Sequence, residues 1–333
     1  MKKMLFCAAA AIAVLASCSK TQVVYNDAPE EIAFKQITGV MTKADGDALP
    51  TSMGVYAYLV PDATTPELSE GETTTENSYF NNIEFTGNDG VYTGGQYWPV
   101  SGELKFTVYA PFFSNESNRV SYRENKLTFS VTNDQTDWLY GTTQPTGSKT
   151  DKDNVTVTLA HALSKIVVNV NGDSNVKIKK IELLNAAFIG LCSITYAGNQ
   201  AGQPDFSNPG EIIPYSLYVA TQSGGTALSA ENLQDVPYCL VIPQSSLSDQ
   251  AIRLTYTFNG SDTDLTYTTT PAQIGNTWMS GSKYTYNFTI GAEEIKFQPI
   301  VSAWVTDDDE NTEGNNTTGI EVTPNTQGAV WEE

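Results

Sequence analysis

The chain has 333 residues, enough for two ordinary domains with real cores, and 40% apolar with 11% aromatic content is globular in kind. Its 38 acidic residues against 18 basic ones give a formal net charge of −20, which argues against nucleic acid as a partner because phosphates need a basic face. The same balance suits an exterior turned to the medium, and most of these charges read as a solvated surface.

The chain opens on Met1-Lys2-Lys3, a positive start, followed by an apolar run over residues 4–14 and then Leu15-Ala16-Ser17-Cys18. The run is too short to span a bilayer, so residues 1–17 read as an export signal. The tetrapeptide resembles the bacterial lipobox, in which the signal is cut before the cysteine and its sulfur is acylated. Cys18 is therefore the expected lipidation site and mature N-terminus. Each buried methylene contributes about 0.8 kcal/mol, so several acyl chains would hold the protein to a membrane.

Residues 18–43 form an expected tether, which contains one short apolar strand over 31–37 and ends in a loop holding Thr42-Lys43-Ala44. A strand over 53–60 puts Val55, Ala57 and Leu59 on one face and Tyr56 and Tyr58 on the other. Residues 62–77, rich in Thr, Glu and Pro, read as a surface loop. Asn88-Asp89-Gly90 marks a hairpin, residues 104–109 a strand, and Glu124-Asn125 the turn of a second hairpin.

The stretch 154–170 organises the rest. Val155, Val157 and Leu159 alternate with polar residues, as do Ile166, Val168 and Val170, and only Ala160-His161-Ala162-Leu163-Ser164 lies between. Two strands joined almost without a linker read as a seam, one domain ending and the next beginning. Beyond it, strands are expected over 176–184, 187–195, 212–219, 236–242, 252–258, 265–269, 284–290 and 295–300. No long amphipathic helix is legible. Many short strands separated by turn signals predict an all-β protein of two β-sandwiches, over residues 44–159 and 160–306.

Four groups of residues carry a resemblance. They are Leu159-Ala160-His161-Ala162-Leu163-Ser164-Lys165; Tyr97-Trp98-Pro99 with Phe106 to Pro111; Asp137-Trp138-Leu139-Tyr140-Gly141; and Trp278, Gly281, Tyr284, Tyr286, Val301 and Trp304. In this order they resemble the fimbrillin family, the pilus and adhesin lipoproteins of Bacteroidota. The resemblance implies two tandem transthyretin-like Greek-key sandwiches, other pilus subunits as partners, and a surface fimbrium on the outer membrane held by a lipid anchor. It names no receptor. In the resembling pilins an N-terminal segment is cut off after a basic residue, usually Arg, in a loop that follows the first strand. Lys43-Ala44 occupies the corresponding place, and the other reading is an uncut loop in an anchored protein.

The sequence carries no catalytic constellation. His161 is the only histidine and sits among apolar residues, where it reads as a packed side chain and not a base. Ser164 lies nearby without a nucleophile elbow. The acidic run 307–311 lacks the glycine and the closing glutamate of a calcium loop. Neither a metal nor a cofactor is expected. Cys192 and Cys239 lie in apolar strand-like runs, either as a bridge or as two buried thiols.

Residues 307–333 read as an acidic linker followed by a tail. There Ile320 and Val322 alternate with polar neighbours, and Val330-Trp331 adds a second apolar cluster. Such a tail can add as a strand to the next subunit, or fold back on its own chain. The function expected is a non-enzymatic pilus subunit or pilus-associated adhesin assembled by donor-strand exchange. The alternative is a surface lipoprotein that binds glycan or host protein without polymerising.

Overall fold

The computed structural model describes residues 30–38, 49–60, 78–88, 90–99, 102–144, 155–207, 210, 214–292 and 294–304. Cys18, Lys43, Ala44, Ile320, Val322, Val330 and Trp331 lie outside the described residues.

Among the described residues ten strands precede the seam. The first five are β1 (Glu31–Phe34), β2 (Gln36–Thr38), β3 (Ser52–Val60), β4 (Ser78–Asn88) and β5 (Val91–Tyr97). They are followed by β6 (Glu103–Ala110), β7 (Val120–Arg123), β8 (Lys126–Val131), β9 (Leu139–Thr142) and β10 (Thr156–His161). Both hairpins read from turn residues are present. Gly90 takes φ +80° between β4 and β5. Glu124 and Asn125 take φ +51° and +58° between β7 and β8, the backbone of a two-residue type I′ turn.

Eight of these strands make one sheet, in the order β1-β5-β4-β3-β6-β9-β10-β2. Here the expectation of one strand over 31–37 is corrected. The segment is two strands, and they occupy opposite edges of the same sheet. β1 runs antiparallel to β5, and β2 runs parallel to β10. Only Lys35 separates them, and one residue between two strands spans no more than ~7 Å. The sheet therefore folds over on itself until its two edges meet at this segment. Ile32, Phe34, Val55, Ala57, Phe85, Phe106, Val108, Val157 and Leu159 fill the space inside.

After the seam come β11 (Ser164–Gly172), β12 (Val176–Leu184), β13 (Gly190–Ala197), β14 (Gln200–Ala201), β15 (Asp205–Ser207) and β16 (Tyr215–Val219). They lead to β17 (Thr226–Ala227), β18 (Cys239–Val241), β19 (Ala251–Phe258), β20 (Leu265–Thr268), β21 (Ser282–Ile290) and β22 (Ile295–Ala303). The helix α1 (Pro271–Ile274) is a single turn. No helix among the described residues is long and apolar enough to cross a membrane. Sheets β18-β11-β21-β22 and β16-β12-β19-β20 share one core. In it Ile166, Val168 and Val170 of β11 face Ile178, Ile181 and Leu183 of β12, the face-to-face arrangement of a sandwich. The all-β sandwich expectation is met.

The step from β10 to β11 falls where the alternating valines put it, across Ala162-Leu163. A fourth sheet, β14-β13-β8-β7, crosses that point, because β8 and β13 pair antiparallel from Gly190↔Val131 to Thr195↔Lys126. It closes a third core, containing Tyr56, Tyr58, Tyr109, Phe129 and Trp138 from before the seam and Leu163, Cys192, Ile194 and Trp304 from after it. Strand β3 is consequently covered on both faces, Val55 and Ala57 in one core and Tyr56 and Tyr58 in the other. Gly54 lets the ring of its cross-strand partner Tyr109 on β6 lie over β3: a Cβ there would lie 2.1 Å from that ring.

Candidate functional site

The site is built on the segment that closes the large sheet. Ile32 and Phe34 are fully buried. The Phe34 ring meets Phe85 at 5.1 Å and Phe106 at 5.1 Å, both edge-to-face, the geometry in which a ring edge meets a ring face. The Gly95 N–H donates to the Glu31 carboxylate at 2.9 Å and ties the start of β1 to β5. Ile37, half-buried, packs against the same core. Two side chains thus fill the inside while the backbone of one short segment satisfies two sheet edges. The sequence carries a trace of the split: the apolar positions run 32, 34, then 37, so the period of two slips at Lys35-Gln36.

The second element is the seam. His161 is buried, its Nδ1 2.9 Å from Asp137 Oδ1 and its ring stacked on Trp304 with 3.4 Å between centroids. The loop 279–281 holds the seam from the other side. Ser280 Oγ donates to the His161 and Ala162 carbonyls, and the Gly281 N–H donates to Leu163. Ser164 Oγ donates to the Met279 carbonyl at 2.8 Å, and Trp304 closes the group through its N–H to Gly281. Ser164 is occupied in this bond, and His161 lies under an indole. The pair has a structural role, as the apolar surroundings in the sequence predict.

The remaining motif aromatics are core and corner residues. Trp278 Nε1 donates to the Tyr286 hydroxyl at 2.9 Å, and that hydroxyl donates to the Ile274 carbonyl at 2.9 Å. The Tyr284 hydroxyl accepts from the Met279 N–H at 2.8 Å. Trp138 stacks on Phe129 at 4.4 Å. Trp98 is buried against Phe106, while Tyr97 is 48% exposed, so the two do not form a common aromatic platform. Cys192 and Cys239 are free thiols in different cores, which decides the alternative left open by the sequence. Among the described residues no cluster of His, Cys, Asp and Glu has metal-binding geometry.

Comparison with known proteins follows this architecture. No curated protein matches the chain. A solved structure from Bacteroides uniformis, described as a candidate cell adhesion protein, superposes with a TM-score of 0.55 at 17% identity, covering 83% of this chain and 98% of that one. A protein from Bacteroides ovatus with the same description gives 0.49 at 16% identity, covering 85% and 100%. The tip fimbrial protein Mfa3 of Porphyromonas gingivalis, solved with a C-terminal truncation, gives 0.42 at 14% identity, covering 82% and 100%. The first of these shares the fold. The family described as fimbrillin-like matches residues 24–304, most of the chain. The chain belongs to the fimbrillin-like family, non-enzymatic fimbrial proteins, and its fold is all-β.

Proposed function

We propose that the protein is exported as a lipoprotein acylated on Cys18, carried to the outer membrane, cut between Lys43 and Ala44, and joined to its neighbours by donor-strand exchange. One observation carries the reading. The segment 31–38, which such a cut releases, is the piece that pairs both edges of the eight-stranded sheet and inserts Ile32 and Phe34 into its core. Its removal uncovers two rows of backbone donors and acceptors and a slot lined by Phe85 and Phe106. Burial of two such side chains is worth roughly 3–6 kcal/mol, so the processed subunit gains by taking up a replacement strand.

The tail has the required pattern. Ile320 and Val322 stand two residues apart, as Ile32 and Phe34 do, and Val330-Trp331 supplies a further apolar pair. The linker 307–318 has twelve residues and reaches up to about 40 Å when extended, enough to arrive at a neighbouring subunit. A tail given to the next subunit at each step makes an open head-to-tail chain, hence a fibre.

Surface material sheared from cells tests this. Deleting residues 319–333 should abolish the ladder of multimers while each monomer stays folded, and N-terminal sequencing of intact fibres should read from Ala44. Multimers that persist after the deletion in processed protein rule out the tail as donor.

A further inference from the structure

A cavity of about 630 Å³ opens on the Tyr face of β3, between the start of β4 and the β7–β8 hairpin. Its floor is Tyr56, Tyr58 and Tyr122. Tyr122 lies with its ring 5.2 Å from Tyr56 and 5.5 Å from Tyr58, and the three pack as one aromatic cluster. Tyr56 and Tyr58 are 5% and 8% exposed, yet neither hydroxyl hydrogen-bonds another described residue. Neither hydroxyl is sealed from solvent, so each can meet a ligand in the cavity it borders. Burial pushes both phenols well above their ordinary range, and no hydrogen bond counters that effect.

The walls are amides. Asn81 Oδ1 accepts from Ser78 at 2.9 Å and Asn115 Oδ1 accepts from Asn82 at 2.7 Å, so both oxygens are engaged and both NH2 groups remain to donate into the cavity. Asn118, fixed at φ +53° just past a 3-10 turn, adds a third amide. The charges at the rim, Arg123 and Glu124, cancel.

We infer that this cavity is a binding site for a neutral saccharide, its hydroxyls bridging the Tyr56 and Tyr58 phenols and the Asn81, Asn115 and Asn118 amides. Phenols and amides both donate and accept, as sugar hydroxyls do. A volume of this size falls within the range of small-ligand sites. The balanced rim disfavours an anionic sugar. The site lies away from the exchanged segment and its slot, so saccharide capture and fibre assembly fail separately.

The test uses the full chain purified in detergent, titrated against immobilised neutral di- to tetrasaccharides of glucose, galactose and N-acetylglucosamine, with sialylated counterparts alongside. Saturable binding to a neutral glycan is expected. Tyr56→Phe with Tyr58→Phe removes only two hydroxyls from the packed rings and should weaken that binding about tenfold or more. Asn81→Trp, at an exposed position on the rim, should block it without touching the core. No binding to any neutral probe overturns the inference. So does binding confined to sialylated glycans, or binding indifferent to both variants.

Discussion

The His161 ring lies flat on the Trp304 indole, 3.4 Å between centroids and 10° between planes. One residue ends the last strand before the seam and the other closes the described chain, so this contact ties the point where the sheets change to the root of the tail. Lys165 Nζ approaches the same indole at 5.2 Å and adds a cation over its face. Trp304→Ala should cost about 3–5 kcal/mol in denaturant unfolding, with amide exchange faster around 161–164 and 280–282. A loss below about 1 kcal/mol would mean the seam is held without the indole.

Phe34 fills the slot between Phe85 and Phe106 in the uncut chain. Phe34→Ala should therefore lower the stability of the unprocessed protein by about 3–5 kcal/mol, read by chemical unfolding of the full chain. The replacement Phe34→Leu should recover most of it. Stability unchanged in Phe34→Ala would mean that β1 does not seal the core.

Glu182 is buried on β12 between Lys180 Nζ at 2.6 Å and Arg253 Nε at 2.9 Å. Burial alone would raise its carboxyl, but the hydrogen bonds from Lys180 and Arg253 prevail and hold it below the ordinary carboxylate value. A carboxyl lowered by folding contributes stability above its unfolded pKa and loses it as pH falls through the folded one. Glu182→Gln should cost roughly 1–3 kcal/mol at neutral pH, the gap closing as pH drops below about 4. A gap constant between pH 7 and pH 3 contradicts this pairing.

Cys192 packs beside Ile194 and Tyr196 in one core and Cys239 beside Val241 in another. Burial, aided for Cys192 by the Asp205 charge, raises both thiols well beyond the ordinary range, so neither offers a thiolate near neutral pH. Iodoacetamide should leave both unmodified in the native protein and alkylate both after unfolding without reductant. A disulfide-linked 192–239 peptide pair would refute the free-thiol state.

Much of this was legible in the sequence because alternation reports burial directly. Val155, Val157 and Leu159 and then Ile166, Val168 and Val170 give the seam, and the tyrosines of β3 do face away from its valine. What alternation cannot report is the partner. Nothing near Leu127 or Ile194 says that β8 pairs with β13 across the seam, so the covering of Tyr56 and Tyr58 by a third core is invisible locally. The division of 31–37 into two edge strands is likewise set by where the curled sheet's edges meet, with only the slipped period at Lys35 as a trace. Asp137 was legible as a motif residue, but its role at His161 needed the fold.

The most direct test of strand exchange is a photo-crosslink from the tail in assembled fibres. A photoreactive residue at Val322, in fibres mixed from ordinary and heavy-isotope-labelled subunits, reports by mass spectrometry which chain it touches. The account predicts mixed-label crosslinks between position 322 and peptides carrying Phe85 or Phe106 of a neighbouring subunit. Crosslinks only within a single chain, with 31–38 still present in the fibre, would contradict it.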